Sequence, residues 1–332
     1  MKAYTINKYT LDGAQLVDMP VPIVADNEVL VEVHATSVNL LDSKIKKGEF
    51  KLLLPYHFPL ILGHDVAGII TQVGGKVKKF KVGDQIYSRP ADFHIGTFAE
   101  YIAINEEDVA LKPRNLTMEE AASIPLVALT AWQALVENAG LKPGQKVFIQ
   151  AGSGGVGSIA IQLAKHLGAS TATTSSAKSF TLVKELGAEL LIDYKAQDFE
   201  DILKDYDVVL NSQDNKALEK SIHILKPQGR IISISGPPTP AFAREIALPW
   251  YLRIILSLIS FRIRSKAKKH NVNYYFLFMK ASGDQLGKIA KLIEANVIKP
   301  VVDKVYAFED LNDALIYVEA GRAKGKVVVK VK

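Results

Sequence analysis

Residues 146–166 read KVFIQAGSGGVGSIAIQLAKH, and no other stretch limits the folds open to this chain as strongly. A short apolar run, Val147 to Ile149, enters a glycine cluster that opens directly into a helical pattern. Gly152, Gly154 and Gly157 fit G-x-G-x-x-G, and the strand–turn–helix setting gives that pattern its weight. In such a turn Gly152 allows the tight bend, Gly154 lets backbone approach a pyrophosphate, and Gly157 lets the helix pack close to the strand. Ser153, Gly155 and Val156 complete the loop. Its N–H groups, at the positive end of a helix beginning near Val156, would hold phosphates. The competing reading is a glycine-rich turn with no ligand.

The flanking chain repeats the alternation. Strand candidates are Val147–Gln150, Ser170–Thr174, Leu190–Asp193, Asp207–Asn211 and Arg230–Ser235, with helical segments between them and Val272–Met279 as a sixth. Short crossovers between such strands predict a doubly wound parallel sheet. Residues 1–110 differ. Glu28–Thr36 alternates apolar and polar, and Asp65–Val73, Asp84–Ser88 and Phe98–Ile104 are short apolar segments between glycines. That pattern predicts a β-rich barrel or sandwich-like domain. Thr117 to Glu120 makes a capping-box helix start. The tail from Ser282 holds two helical patterns, Asp284–Ala295 and Leu311–Gly321, and ends in the strand-like Lys326–Lys332. The sheet is complete without this tail, so it is expected to return to the first domain. The fold class is therefore α/β: a β-rich domain over 1–123, a dinucleotide-binding domain over 124–280, and the returning tail over 281–332.

The chain has no cysteine, which excludes disulfides and thiolate-bound zinc and fits a reducing compartment. The N-terminus shows no apolar signal region and no run reaches membrane-spanning length, so a cytoplasmic location is expected. A net charge of +6 suits an anionic ligand, and would equally attract nucleic acid or anionic lipid. Part of that charge is local: Arg262–Lys269 holds five cations and no acid.

A dinucleotide-binding unit specific for NAD carries an Asp or Glu about 20 residues past the glycines, on the ribose hydroxyls. Here Ser170–Thr181 reads STATTSSAKSFT, without an acid. Ser175, Ser176 and Lys178 stand where a 2′-phosphate would lie, so NADPH is the expected cofactor.

Several motifs occur together: Ser37-Val38-Asn39-Leu40-Leu41-Asp42, Gly63-His64-Asp65-Val66-Ala67-Gly68, Val82-Gly83-Asp84, Leu129-Thr130-Ala131-Trp132, AGSGGVG at 151–157 and Gly325-Lys326-Val327-Val328. In this order they resemble the medium-chain dehydrogenase/reductase superfamily over nearly the whole chain. Within it they resemble the zinc-independent quinone oxidoreductase and enone reductase branch. The resemblance implies a GroES-like catalytic domain, a Rossmann domain, and NAD(P)H-dependent reduction in the cleft between them. It implies Thr130 near the nicotinamide, Phe276 and Phe278 beside it on the last strand, and Lys326 approaching from the tail. The bland alternatives are core aromatics and a surface lysine.

Zinc-dependent relatives place a cysteine where this chain has Asn39 and a ligand at the His64 position. A catalytic zinc needs about three protein ligands, so no metal is expected here. Without that Lewis acid, hydride would go to a quinone or to the β-carbon of an α,β-unsaturated carbonyl. Catalytic candidates are Asn39, binding the substrate carbonyl or the nicotinamide ribose, and Lys44, stabilising developing oxygen charge. Asp42 would hold Lys44, His64 would hydrogen-bond near the cleft, and Tyr56 or solvent would give the proton. The partner is a small quinone or enone acceptor; no specific nucleic acid is expected, and a homodimer is.

Three rivals remain. A hydrolase elbow would need Gly at Ala151 in place of alanine. A zinc-dependent alcohol dehydrogenase would need the missing ligands. A non-enzymatic NADPH sensor or RNA-binding protein could use the same scaffold. Leu248–Lys269 combines apolar Trp250, Ile254, Ile255, Leu258, Ile259 and Phe261 with the basic run. It is expected either to cover the acceptor pocket or to make a weak peripheral contact with anionic membrane.

Overall fold

The structure, a computed structural model, describes residues 1–332. The chain divides into two compact units: Met1–Leu129 with Lys280–Lys332, and Thr130–Met279. The first unit begins with β1 (Lys2–Ile6), β2 (Gln15–Asp18), β3 (Glu28–Val38), β4 (Leu60–Ile61), β5 (Asp65–Val73), β6 (Gln85–Ser88), β7 (Tyr101–Asn105) and β8 (Val109–Leu111). The second holds β9 (Lys146–Ile149), β10 (Ser170–Ser175), β11 (Leu190–Asp193), β12 (Tyr206–Asn211), β13 (Leu225–Ser233) and β14 (Asn273–Phe276). The returning tail adds β15 (Val302–Ala307) and β16 (Lys326–Lys330) to the first unit.

In the first unit, the alternation along β3 turns Val29, Val31 and Val33 inward against Val66, Ile70, Ile86, Ile102 and Ile104. The large sheet runs β15-β16-β3-β5-β6-β8, with β7 also on β3, and a small sheet runs β2-β1-β4. Register does the functional work: Ser37 lies opposite Asp65, and Val38 opposite Val327. Three strands thus deliver Ser37, Asn39, Asp65 and Lys326 to one place.

The second unit is a six-stranded parallel sheet ordered β11-β10-β9-β12-β13-β14. Counted within the unit this is 3-2-1-4-5-6, with the reversal point between β9 and β12, the crevice where such sheets bind dinucleotides. Phe148, Ala172, Ile192, Val209 and Ile231 fill its core.

Two expectations need correction. β14 stops at Phe276, because β13 ends at Ser233 and the last ladder bond is Leu277 N–H to the Ser233 carbonyl at 2.8 Å. Phe278 is therefore off the strand. Phe276 and Phe278 instead both pack on Phe242, with ring centroids 5.0 and 5.6 Å away. The second concerns Leu248–Lys269: Trp250–Lys269 forms one helix that buries Leu256 and Ile263, while the side chains expected to cover a pocket, Trp250, Ile254, Ile255, Leu258, Ile259 and Phe261, are exposed. No helix is long and apolar enough to cross a membrane.

Candidate functional site

In the second unit the glycine turn sits at the carboxyl end of β9. The 12-residue helix Gly155–His166 starts there, with Gly154 as its N-cap. Its first N–H groups have no acceptor inside the helix. The turn is laced to β10: Gly152 N–H donates to the Thr174 carbonyl at 2.9 Å, and Ala151 N–H to Thr174 Oγ1 at 3.1 Å. The glycines differ in what they are for. A Cβ on Gly152 would meet Thr173 Oγ1 at 2.1 Å, and one on Gly157 would meet the Ala151 carbonyl at 2.3 Å. Packing alone demands both. A Cβ on Gly154 would find only the Ala151 carbonyl at 3.3 Å, and Gly154 has an ordinary φ of −82°. The fold has little need for glycine there, while a ligand pressing on the backbone would need one.

Ser175 ends β10 and is buried; Ser176 caps the short 3₁₀ turn Ala177–Ser179. Lys178 is exposed with no carboxylate partner. Thr130 is buried in the helix Pro125–Trp132. Sequence reasoning missed a buried polar chain at the strand ends flanking the reversal point. Asn211 Nδ2 donates to Gln150 Oε1 at 2.7 Å, Gln150 Nε2 to Ser221 Oγ at 2.9 Å, and Ser233 Oγ to Asn211 Oδ1 at 2.6 Å. Its signal was a polar residue closing consecutive apolar strands.

The first unit holds a second cluster, centred on the buried Asp65, which sequence reasoning also missed. Asp65 Oδ1 accepts from Leu126 N–H at 2.7 Å. Its Oδ2 accepts from Ser37 Oγ at 2.7 Å, Asn39 Nδ2 at 2.8 Å and Lys326 Nζ at 3.2 Å. The Lys326 ammonium also donates to Asn39 Oδ1 and to the Val38 carbonyl. Its three N–H groups therefore meet three acceptors inside this unit. The surface-charge alternative fails, and a contact to a cofactor would require one of these bonds to be exchanged. The Asn39 amide is likewise engaged at both ends, its Nδ2 donating to Asp65 and its Oδ1 accepting from Lys326.

Beside this lies a dyad. His64 Nδ1 is 2.5 Å from Asp42 Oδ1, both side chains are fully buried, and Asp42 Oδ2 accepts from Asn39 N–H at 2.7 Å. Of the two ring nitrogens only Nδ1 is held; His64 Nε2 is buried with no partner. Gly63 sets up this placement at φ +104°, where a Cβ would strike Thr97 Oγ1 at 2.4 Å. The expected Asp42–Lys44 contact does not form: Asp42 is fully buried against His64 and Asn39, and Lys44 is half-buried with no counter-ion. Tyr56 is buried with its ring 5.5 Å from Phe93. Burial first, then the negative charge of Asp92, push its hydroxyl well above the usual tyrosine range, so it stays protonated.

Sheet order, glycine turn and the motifs of the first unit define a dinucleotide-dependent oxidoreductase of the medium-chain type. The family models agree: "Alcohol dehydrogenase GroES-like domain" matches residues 25–114 and "Zinc-binding dehydrogenase" residues 186–329. The chain belongs to the medium-chain dehydrogenase/reductase superfamily, in its quinone and enone reductase branch. It is 36% identical to the 2-methylene-furan-3-one reductase of Solanum lycopersicum, across 99% of this chain and 79% of that protein. It is 34% identical to the mitochondrial NAD(P)H oxidoreductase RTN4IP1 of Homo sapiens, across 100% of this chain and 89% of that one. Among solved structures, the quinone oxidoreductase from Coxiella burnetii superposes with a TM-score of 0.86 at 29% identity, covering 100% and 99% of the two chains.

Proposed function

We propose that this chain is an NADPH-dependent reductase that delivers hydride to a quinone or to the β-carbon of an α,β-unsaturated carbonyl, without zinc. The observation that carries the reading is Gly154: an added Cβ there would meet only the Ala151 carbonyl, at a tight 3.3 Å, far less of a clash than at Gly152 or Gly157, at the one point where a pyrophosphate would press on the backbone. The names of the tomato and human relatives point the same way. When bound, the dinucleotide supplies the hydride from its nicotinamide C4.

The residues divide the remaining work. Gly152–Gly157 and the helix they open hold the pyrophosphate. Ser175, Ser176 and Lys178 take the 2′-phosphate, since nothing anionic stands in Ser170–Thr181 to repel it. Thr130, Phe276 and Phe278 form the nicotinamide side, the two phenylalanines held by Phe242. Lys44, free of a counter-ion, stabilises the charge that develops on the acceptor oxygen. Tyr56, whose buried hydroxyl has no hydrogen-bond partner within the protein, supplies the proton. Asp42 orients His64, and Asn39 with Lys326 braces the strand ends around Asp65. A homodimer in a reducing, cytoplasmic compartment completes the reading.

The donor set does not fit a catalytic zinc. Asp65 is saturated by four donors, one of them an ammonium, and Asp42 is committed to His64 and Asn39. No group of three or more His, Cys, Asp or Glu residues could hold a metal ion. Following NADPH oxidation against a panel of quinones, 2-alkenals and enones tests the proposal. Turnover with at least one of these acceptors is expected, and Tyr56→Phe should lower kcat while leaving NADPH affinity unchanged. NADPH binding without turnover on any acceptor would favour the sensor reading instead.

A further inference from the structure

The helix Trp250–Lys269 has two unlike faces. Leu256, Ser260, Ile263 and Ala267 bury one stripe in the second unit, beside the edge strand β14. The opposite side presents Trp250, Ile254, Ile255, Leu258, Ile259 and Phe261 to solvent, with Trp250 73% and Leu258 71% exposed. Single exposed apolar residues are ordinary, but a continuous run of this kind marks a surface that something covers. The helix also carries six cations and no acid. Arg262 and Lys266 pair with Glu219 at 3.1 and 3.3 Å, whereas Lys268 and Lys269 are exposed with no counter-ion. At 100° per residue Lys268 points in the direction of Trp250, five turns on, and Lys269 in the direction of Tyr251. The free cations therefore extend the apolar face rather than opposing it.

We propose that this helix seats the protein peripherally on an anionic lipid surface. The apolar face enters the boundary between headgroups and acyl chains, and Lys268 and Lys269 lie on headgroup phosphates. Trp250 and Tyr251 supply the aromatic character that membrane interfaces favour. The helix lies on the bilayer, because it is not apolar enough to cross it. Charge decides between lipid and a second copy of the chain. A two-fold contact brings the same patch against itself, and the carboxylate beside it, Glu219, is already paired with Arg262 and Lys266, so Lys268 and Lys269 would find no counter-ion there. An anionic surface answers the charge directly. The proposal does not rest on the reaction assigned above.

The test is flotation of the full-length protein with phosphatidylcholine vesicles, with and without phosphatidylglycerol, read alongside tryptophan emission. The wild type should float with the anionic vesicles, shift its emission to the blue and detach in high salt. Leu258→Glu should abolish flotation. Lys268→Ala with Lys269→Ala should weaken partitioning about thirtyfold, at the usual contribution of a cation near such a surface. All three positions are exposed and outside the cofactor site, so circular dichroism and NADPH titration should match the wild type. Three results would overturn the proposal: no flotation of the wild type, full flotation of Leu258→Glu, or a lipid-free dimer that Leu258→Glu turns to monomer while vesicles bind neither.

Discussion

Replacing Lys326 by Met isolates what the buried ammonium does. Its three N–H groups are spent on Asp65, Asn39 and the Val38 carbonyl, and Asp65 is fully buried. Methionine fills much of the same volume but leaves the Asp65 carboxylate without its only cation. Three neutral donors remain to it: Leu126 N–H, Ser37 Oγ and Asn39 Nδ2. Stranding one member of a buried ion pair costs about 3–5 kcal/mol, so Lys326→Met should lower stability by that amount in urea unfolding. Asp65→Asn should cost a similar amount by stranding the lysine. Combining the two removes both charges, and the cycle should show a favourable coupling of about 1–3 kcal/mol. If Lys326 acted mainly on the cofactor, Lys326→Met would keep wild-type stability and lose NADPH affinity instead. That outcome, or strictly additive single costs, would refute the bracing role.

The two glycines should separate cleanly. Gly154→Val is expected to fold and fail to bind dinucleotide, while Gly152→Val should not fold, given Thr173 Oγ1 at 2.1 Å from its Cβ; circular dichroism and NADPH titration distinguish them. Lys178→Ala should weaken NADPH about ten- to a hundredfold and leave NADH unchanged, as expected for losing a charge-assisted contact of ~1.5–3 kcal/mol; equal affinity of the wild type for both dinucleotides would contradict the assignment. Purified protein should hold no stoichiometric zinc by elemental analysis, and chelators should leave turnover unchanged.

What could be read from the chain followed how local the cause was. Leu190–Asp193 and the Thr117 capping box rest on neighbouring residues, and the structure has both as expected. The glycine turn is also local, since its strand, bend and helix are contiguous. β14 read too long because Phe276 to Phe278 keep an apolar pattern while packing on Phe242 rather than continuing the ladder. The apolar residues of Trp250–Lys269 announce an apolar face, but not that much of it is left exposed. The Asp65 hub was the least legible. Lys326 reaches it across 261 residues of sequence, and Ser37 through strand register, which no local pattern announces. Asn39 and Lys326 stand out in the sequence only as polar residues next to apolar strands; their bonds to each other and to Asp65 come from strand pairing.

Direct hydride delivery to an activated acceptor is tested by isotope transfer. NADPH carrying deuterium at both positions of nicotinamide C4 should be incubated with the purified protein and an enone that it reduces, and the product examined by mass spectrometry and NMR. Hydride delivery to the β-carbon places one deuterium there, with the α-carbon proton drawn from solvent through the enzyme's acid. Deuterium at the carbonyl carbon, giving an allylic alcohol, or a product without label would contradict it.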